Sequence, residues 1–219
     1  MPAKILIIGR SNVGKTTLLK SLKNALVIAD DGKHFSLPMA HVNIVEFDGI
    51  NAFLDTVEEA VGKYADKFGQ TPDTICFDSV SRIFTDIETF NSNKYKGFDV
   101  WSNVNKDVNA FCECINQLNA NGFNVVLIAH CSYDEKTGNY SEVAKGSFAK
   151  LGGFISTVDE AVYLDMQGTK RIIHHRGSNM CRTLIDSLPD KEPVEQFNLQ
   201  EYLNLLQQKA DSIADQWRI

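Results

Sequence analysis

The residues with the clearest chemistry stand together near the start of the chain: Gly9-Arg10-Ser11-Asn12-Val13-Gly14-Lys15-Thr16. Two glycines, a lysine and a hydroxyl at the spacing G-x-x-x-x-G-K-[ST] match a phosphate-binding loop. Gly9 and Gly14 let consecutive N–H groups turn inward around an anion at a helix N-terminus. Lys15 offers a point charge to the β- and γ-phosphates, and the Thr16 hydroxyl offers a ligand to Mg²⁺. The candidate nucleotide-binding residues are therefore Gly9, Arg10, Ser11, Asn12, Val13, Gly14, Lys15, Thr16 and Thr17. The flanks fit: "AKILIIG" reads as a buried strand, and "KTTLLKSLKNA" as a helix with Leu18, Leu19 and Leu22 on one face.

A metal held by Thr16 needs a carboxylate from a neighbouring strand. Asp78, ending the apolar run "TICFD", is the candidate, so the metal set is Thr16 and Asp78. The competing reading is a strand-end aspartate that caps a helix. Ser79 follows Asp78, where many ATPases carry a water-activating glutamate. A base for hydrolysis must then come from elsewhere. Asp30 and Asp31, ending the strand "ALVIADDG", are available to orient or deprotonate water, unless "DDGK" is a plain turn.

These residues need a frame. "HVNIVEF" reads as a third strand, and "GINAFLDTVEEAVGKYADKF" as a helix through Phe53, Leu54, Val57, Ala60, Val61 and Tyr64. "TICFDSVSRIF" reads as a strand ending at Asp78-Ser79. "VWSNVNKDVNAFCECINQLNANG" reads as a helix, "FNVVLIAH" as a buried strand, and "CSYDEKTGNYSEVAKGSFAKLGG" as a long polar loop. "EAVYLDM" and "KRIIHHR" read as two strands, and "CRTLIDSL" as one more. Alternating strands and helices predict an α/β fold with a mostly parallel central sheet and helices on both faces. The predicted core spans 1–188, with a linker and C-terminal helix at 189–219. That helix carries Leu199, Leu203, Leu206, Ala210, Ile213 and Trp217 at heptad spacing. Such a seam packs on its own sheet or against another subunit.

Composition narrows the function classes. The chain has 219 residues, 43% apolar and 23% charged, values ordinary for a globular protein. Lys and Arg number 22 against 28 Asp and Glu, a net charge of −6 that argues against a broadly basic nucleic-acid surface, though not a local one. No apolar run reaches the length of a membrane span. The short apolar run before Gly9 leads straight into the loop, unlike a secretory leader. The five cysteines, mostly in apolar segments, read as reduced thiols in a cytoplasmic protein.

The letters "GRSNVGK" resemble the loop of ribosome-assembly GTPases of the EngB type, but the guanine-reading and switch motifs of that family are missing. The rest of the chain resembles RecA-type ATPases. "TICFDSVSRI" is similar to their strand ending in Asp-Ser, and "NVVLIAH" to the strand ending in a γ-phosphate sensor, here His130. "KLGGFISTVDEAVYLDM" resembles their Gly-Gly helix and following strand, and "RIIHHR" the strand of basic fingers that reach a neighbour's nucleotide. The resemblance covers roughly residues 3–186. It implies ATP and Mg²⁺ as cofactors and a catalytic set of Lys15, Asp31, Asp78, His130 and Arg176. Asp31 stands where glutamate is usual, and His174 where a lysine is common. A finger acting on a neighbour implies self-assembly into rings or filaments.

The compact size is similar to that of phage Sak-type single-strand annealing proteins, AAA-type ATP-binding proteins of recombination modules. That resemblance implies a slow ATPase that binds single-stranded DNA and promotes annealing in a host cytoplasm, with a single-strand-binding protein as a further partner. In RecA-type recombinases the loop after the sensor strand binds DNA. Here it holds Tyr133, Tyr140 and Phe148 for stacking on bases, and Lys145 and Lys150 for phosphates. Two rival readings remain: a non-catalytic ATP-binding assembly protein, and the GTPase suggested by the loop alone.

Overall fold

The computed structural model describes residues 1–30, 35–135, 139–144 and 146–217, so Asp31 and Lys145 lie outside the described residues. The strands are β1 (Lys4–Gly9), β2 (Ala25–Ala29), β3 (Ala40–Asn43), β4 (Thr74–Asp78), β5 (Asn124–Asp134), β6 (Asn139–Glu142), β7 (Glu160–Gln167), β8 (Lys170–His174) and β9 (Lys191–Pro193). They form a sheet in the order β3-β2-β4-β5-β1-β7-β8-β9, with β6 paired to β5 outside this path. From β3 to β7 every pairing is parallel; β8 and β9 add antiparallel at one edge. The central strands are short apolar runs because both of their faces are covered.

The helices are α1 (Lys15–Leu18), α2 (Ile50–Phe68), α3 (Val80–Lys94), α4 (Phe98–Ala120), α5 (Gly146–Lys150) and α6 (Leu199–Trp217). Alternation along β1 divides the core. Leu6 and Ile8 pack with Phe53 of α2, Phe84 of α3 and Phe111 of α4. Ile5 and Ile7 face the other way, onto Leu18 of α1 and Leu199, Leu203 and Leu206 of α6. The first half of the C-terminal seam thus packs on the protein's own sheet, while Ile213 further along is exposed. β9 and α6 both lie within 189–219, so this segment supplies an edge strand and part of the second core.

Several elements differ from the sequence expectation. The strand in "TICFDSVSRIF" ends at Asp78, in line with the expectation, but the helix that follows it was not expected. β4 stops at Asp78, and α3 begins at Val80 with Ser79 as its N-cap, whose Oγ accepts from Arg82 N at 3.3 Å. A strand's apolar run abuts the apolar stripe Val80, Ile83, Phe84 and Ile87 of a helix, which hides the boundary. The helix after the loop is shorter than its periodicity suggests. α1 passes into a 3₁₀ turn, Leu19–Ser21, and Leu22 is already extended at ψ 137°. The polar stretch after His130 is not all loop: β5 continues to Asp134 and pairs antiparallel with β6. "CRTLIDSL" forms no strand; Arg182 makes a single bridge to Ala161.

Candidate nucleotide-binding site

Strand order brings the loop, the acid and the histidine together. β5 lies between β1 and β4, with Gly9 level with His130, and Asp78 level with Ile128. The carboxyl ends of β1 and β4 lie at the same edge as His130 of β5, where ligands bind in open α/β sheets. There the loop, Asp78 and His130 border one cavity of about 650 Å³. The loop's shape depends on its glycines. Gly14 has φ 96°, and a Cβ on Gly9 would lie 2.6 Å from the Leu164 carbonyl oxygen of β7. Asn12 also takes a left-handed φ of 65°, which asparagine tolerates.

Lys15 is 5% exposed. Its Nζ donates to the carbonyl oxygens of Gly9 and Arg10, both at 2.8 Å, and lies 3.4 Å from His130 Nδ1. A buried ammonium needs such acceptors to stay charged. Thr16 Oγ1 donates to Asp78 Oδ2 at 2.6 Å. This hydroxyl–carboxylate pair is an all-oxygen donor set of the kind that suits a hard cation such as Mg²⁺. His130 is fixed through its backbone N–H, which donates to Ser81 Oγ of α3 at 2.8 Å. The hairpin end is fixed beside it: Val143 N donates to His130 O at 3.2 Å. Both Glu142 oxygens accept from backbone, Oε1 from Phe154 N at 2.9 Å and Oε2 from Ile155 N at 3.1 Å. Burial nevertheless outweighs these bonds and pushes the Glu142 carboxyl up to about 7.

The other expected residues fall differently. Asp30 is buried, and its N–H donates to Asp78 O at 2.6 Å. Its side chain borders a separate cavity of about 210 Å³ with Arg82, Asp86 and Phe90. Arg176 binds within its own chain: Nη1 donates to Leu188 O at 2.6 Å and Nη2 to Ile185 O at 2.7 Å. Tyr133 is 55% exposed, and its ring centroid lies 5.0 Å from that of Tyr140 across the hairpin. Tyr140 is half-buried and Lys150 exposed. Phe148 is a correction: it is 8% exposed, with its ring 4.8 Å from Phe154 and 6.0 Å from Phe84. One turn of helix directs this ring into the core, so it offers no face to a base.

Sequence reasoning missed the far wall of the cavity, which includes Phe35, Ser81, Arg82 and Arg171. Ser81 and Arg82 were hidden with the start of α3. Arg171 stood in plain view within "KRIIHHR", but nothing in the pattern aims it at the loop.

A family model described as an AAA domain matches residues 1–183. No curated protein matches the chain. Among solved structures, a KaiC-like protein from the hyperthermophilic archaeon Pyrococcus horikoshii OT3 is similar over 87% of this chain and 84% of that one, with a TM-score of 0.51 at 12% identity. A likeness at that identity speaks to fold, and the fold agrees with the sheet described above: mostly parallel strands flanked by helices, with the loop after β1. The chain belongs to the AAA domain family and has the RecA-like P-loop NTPase fold.

Proposed function

We propose that the protein binds ATP with Mg²⁺ in the loop cavity, hydrolyses it slowly, and couples that cycle to single-stranded DNA in annealing or recombination. The observation that carries the nucleotide reading is the convergence of Lys15, Thr16, Asp78 and His130 on one cavity. Lys15 exchanges the Gly9 and Arg10 carbonyls for the β- and γ-phosphates. Thr16 and Asp78 would hold Mg²⁺, which when bound neutralises charge on the phosphate tail. His130, 3.4 Å from the Lys15 ammonium, reads the γ-phosphate. Asp31 orients the attacking water. Arg176 acts on a neighbouring copy's nucleotide once assembly draws it from the Leu188 and Ile185 carbonyls.

The DNA reading is supported by the exposed Tyr133, its cross-strand partner Tyr140, and Lys150 on the next helix. Aromatic faces with few cations favour stacking over phosphate neutralisation. Binding of labelled single-stranded DNA, followed by fluorescence anisotropy, should weaken in Tyr133→Ala and change little with salt. Unaltered binding in that variant, or a steep salt dependence, contradicts this interface. A second reading has one observation in its favour. Asp31 and His174 stand where RecA-type ATPases usually carry glutamate and lysine, as in an ATP-binding assembly protein without turnover. ATP binding with no phosphate release, with or without DNA, selects it.

A further inference from the structure

Arg171 reaches the cavity from β8 and divides its guanidinium between two tasks. Nε and Nη2 both donate to Glu195 Oε1, at 3.0 and 2.8 Å. Nη1 makes no hydrogen bond among the described residues. It lies over Gly14, 3.0 Å from where a Cβ would stand. The Gly14 N–H belongs to the loop's phosphate cradle. An always-charged fork therefore presents unused donors to the cavity that Lys15 and Thr16 line, and a Cβ at position 14 would crowd its tip.

We propose that Arg171 binds the phosphate tail of a nucleoside di- or triphosphate held by its own chain, with Nη1 as donor. Glu195 is a positioning residue that fixes the fork's other edge. It lies in the 3₁₀ turn Val194–Gln196 after β9, outside the stretch matched by the family model. The segment after residue 183 thus contributes to the nucleotide site, through a contact distinct from the P-loop lysine. This inference rests on the nucleotide reading above, and concerns phosphate recognition by a residue of the same subunit rather than a finger from a neighbour.

The test is calorimetric titration of the full chain with Mg·ATP, Mg·ADP and inorganic pyrophosphate, for wild type, Arg171→Ala, Arg171→Lys and Glu195→Gln. A charge-assisted hydrogen bond predicts about tenfold weaker binding of all three ligands in Arg171→Ala. Arg171→Lys should recover part of the loss, because it restores a charge without the fork. Glu195→Gln should weaken binding by a smaller factor. Melting of the unliganded variants is measured alongside, and if Arg171→Ala melts early, Arg171→Lys against wild type carries the comparison. Unchanged ATP affinity on loss of Arg171 overturns the proposal. So does weaker ATP binding with unchanged pyrophosphate binding, which would put Arg171 on the base or ribose. Equal affinity in Glu195→Gln overturns the positioning role. A wild-type chain that binds none of the three ligands instead overturns the nucleotide reading itself.

Discussion

Lys15 is nearly buried yet surrounded by oxygen acceptors, so its charge is held ready at the loop rather than exposed to water. On the proposed reading Lys15→Ala removes the cation meant for the β- and γ-phosphates and should abolish measurable ATP binding in a fluorescent-nucleotide titration; retained affinity would move the site elsewhere. Arg176→Ala should spare ATP binding and lower turnover, because in this chain its guanidinium pairs with the Leu188 and Ile185 carbonyls and the Asp190 carboxylate and does not border the loop cavity. Equal losses of binding and turnover would contradict a role in a neighbour's site. Glu142 adds a pH dependence. Its folded-state value of about 7 lies above the ordinary 4.5, so the folded protein binds the extra proton between them. The resulting stability is present below about 4.5 and is lost as pH rises through about 7. Urea unfolding across this window should show stability falling with pH, and Glu142→Gln should flatten that slope. At this level the sequence was most legible where backbone geometry demands specific letters, as at Gly9 and Gly14. It was least legible where only the packing decides, as with Phe148, an aromatic in a polar stretch that turned inward.

Secondary-structure elements were legible where a single periodicity ran uninterrupted, as in α2 and α4. α3 was lost because only Asp78 and Ser79 separate the strand's apolar run from the helix's apolar stripe, so the stripe read as part of the same run. The signal was there in retrospect: a capping serine followed by apolar residues at 80, 83, 84 and 87. Ser79→Ala should cost about 1 kcal/mol in denaturant unfolding, the usual worth of an N-cap. The β5–β6 hairpin escaped because its polar residues carry no strand alternation. The pairing of Tyr133 with Tyr140 comes from the register, which the sequence does not display. This hairpin continues the strand that bears His130, and Val143 N ties its end back to the His130 carbonyl.

For the molecule as a whole, the order β3-β2-β4-β5-β1-β7-β8-β9 was beyond reach from sequence, although the α/β class was not. Alternating elements specify a parallel sheet; only tertiary packing specifies that β5 inserts between the loop strand and the acid strand. The heptad seam of α6 was read as serving its own sheet or another subunit. Leu199, Leu203 and Leu206 serve the sheet, while Ile213 remains exposed. Leu203 is fully buried, so Leu203→Ala should destabilise the fold by about 2–5 kcal/mol in denaturant unfolding. A change under half a kcal/mol would mean that α6 detaches in solution. No helix among the described residues is long and apolar enough to cross a membrane. Everything functional then turns on the nucleotide cavity. Phosphate release should be followed with ATP and with GTP, with and without single-stranded DNA, in wild type and Lys15→Ala. Slow, Mg²⁺-dependent release from ATP, raised by DNA and absent in Lys15→Ala, is the expected result. Release from GTP in preference to ATP, or release from ATP that survives the loss of Lys15, would contradict it.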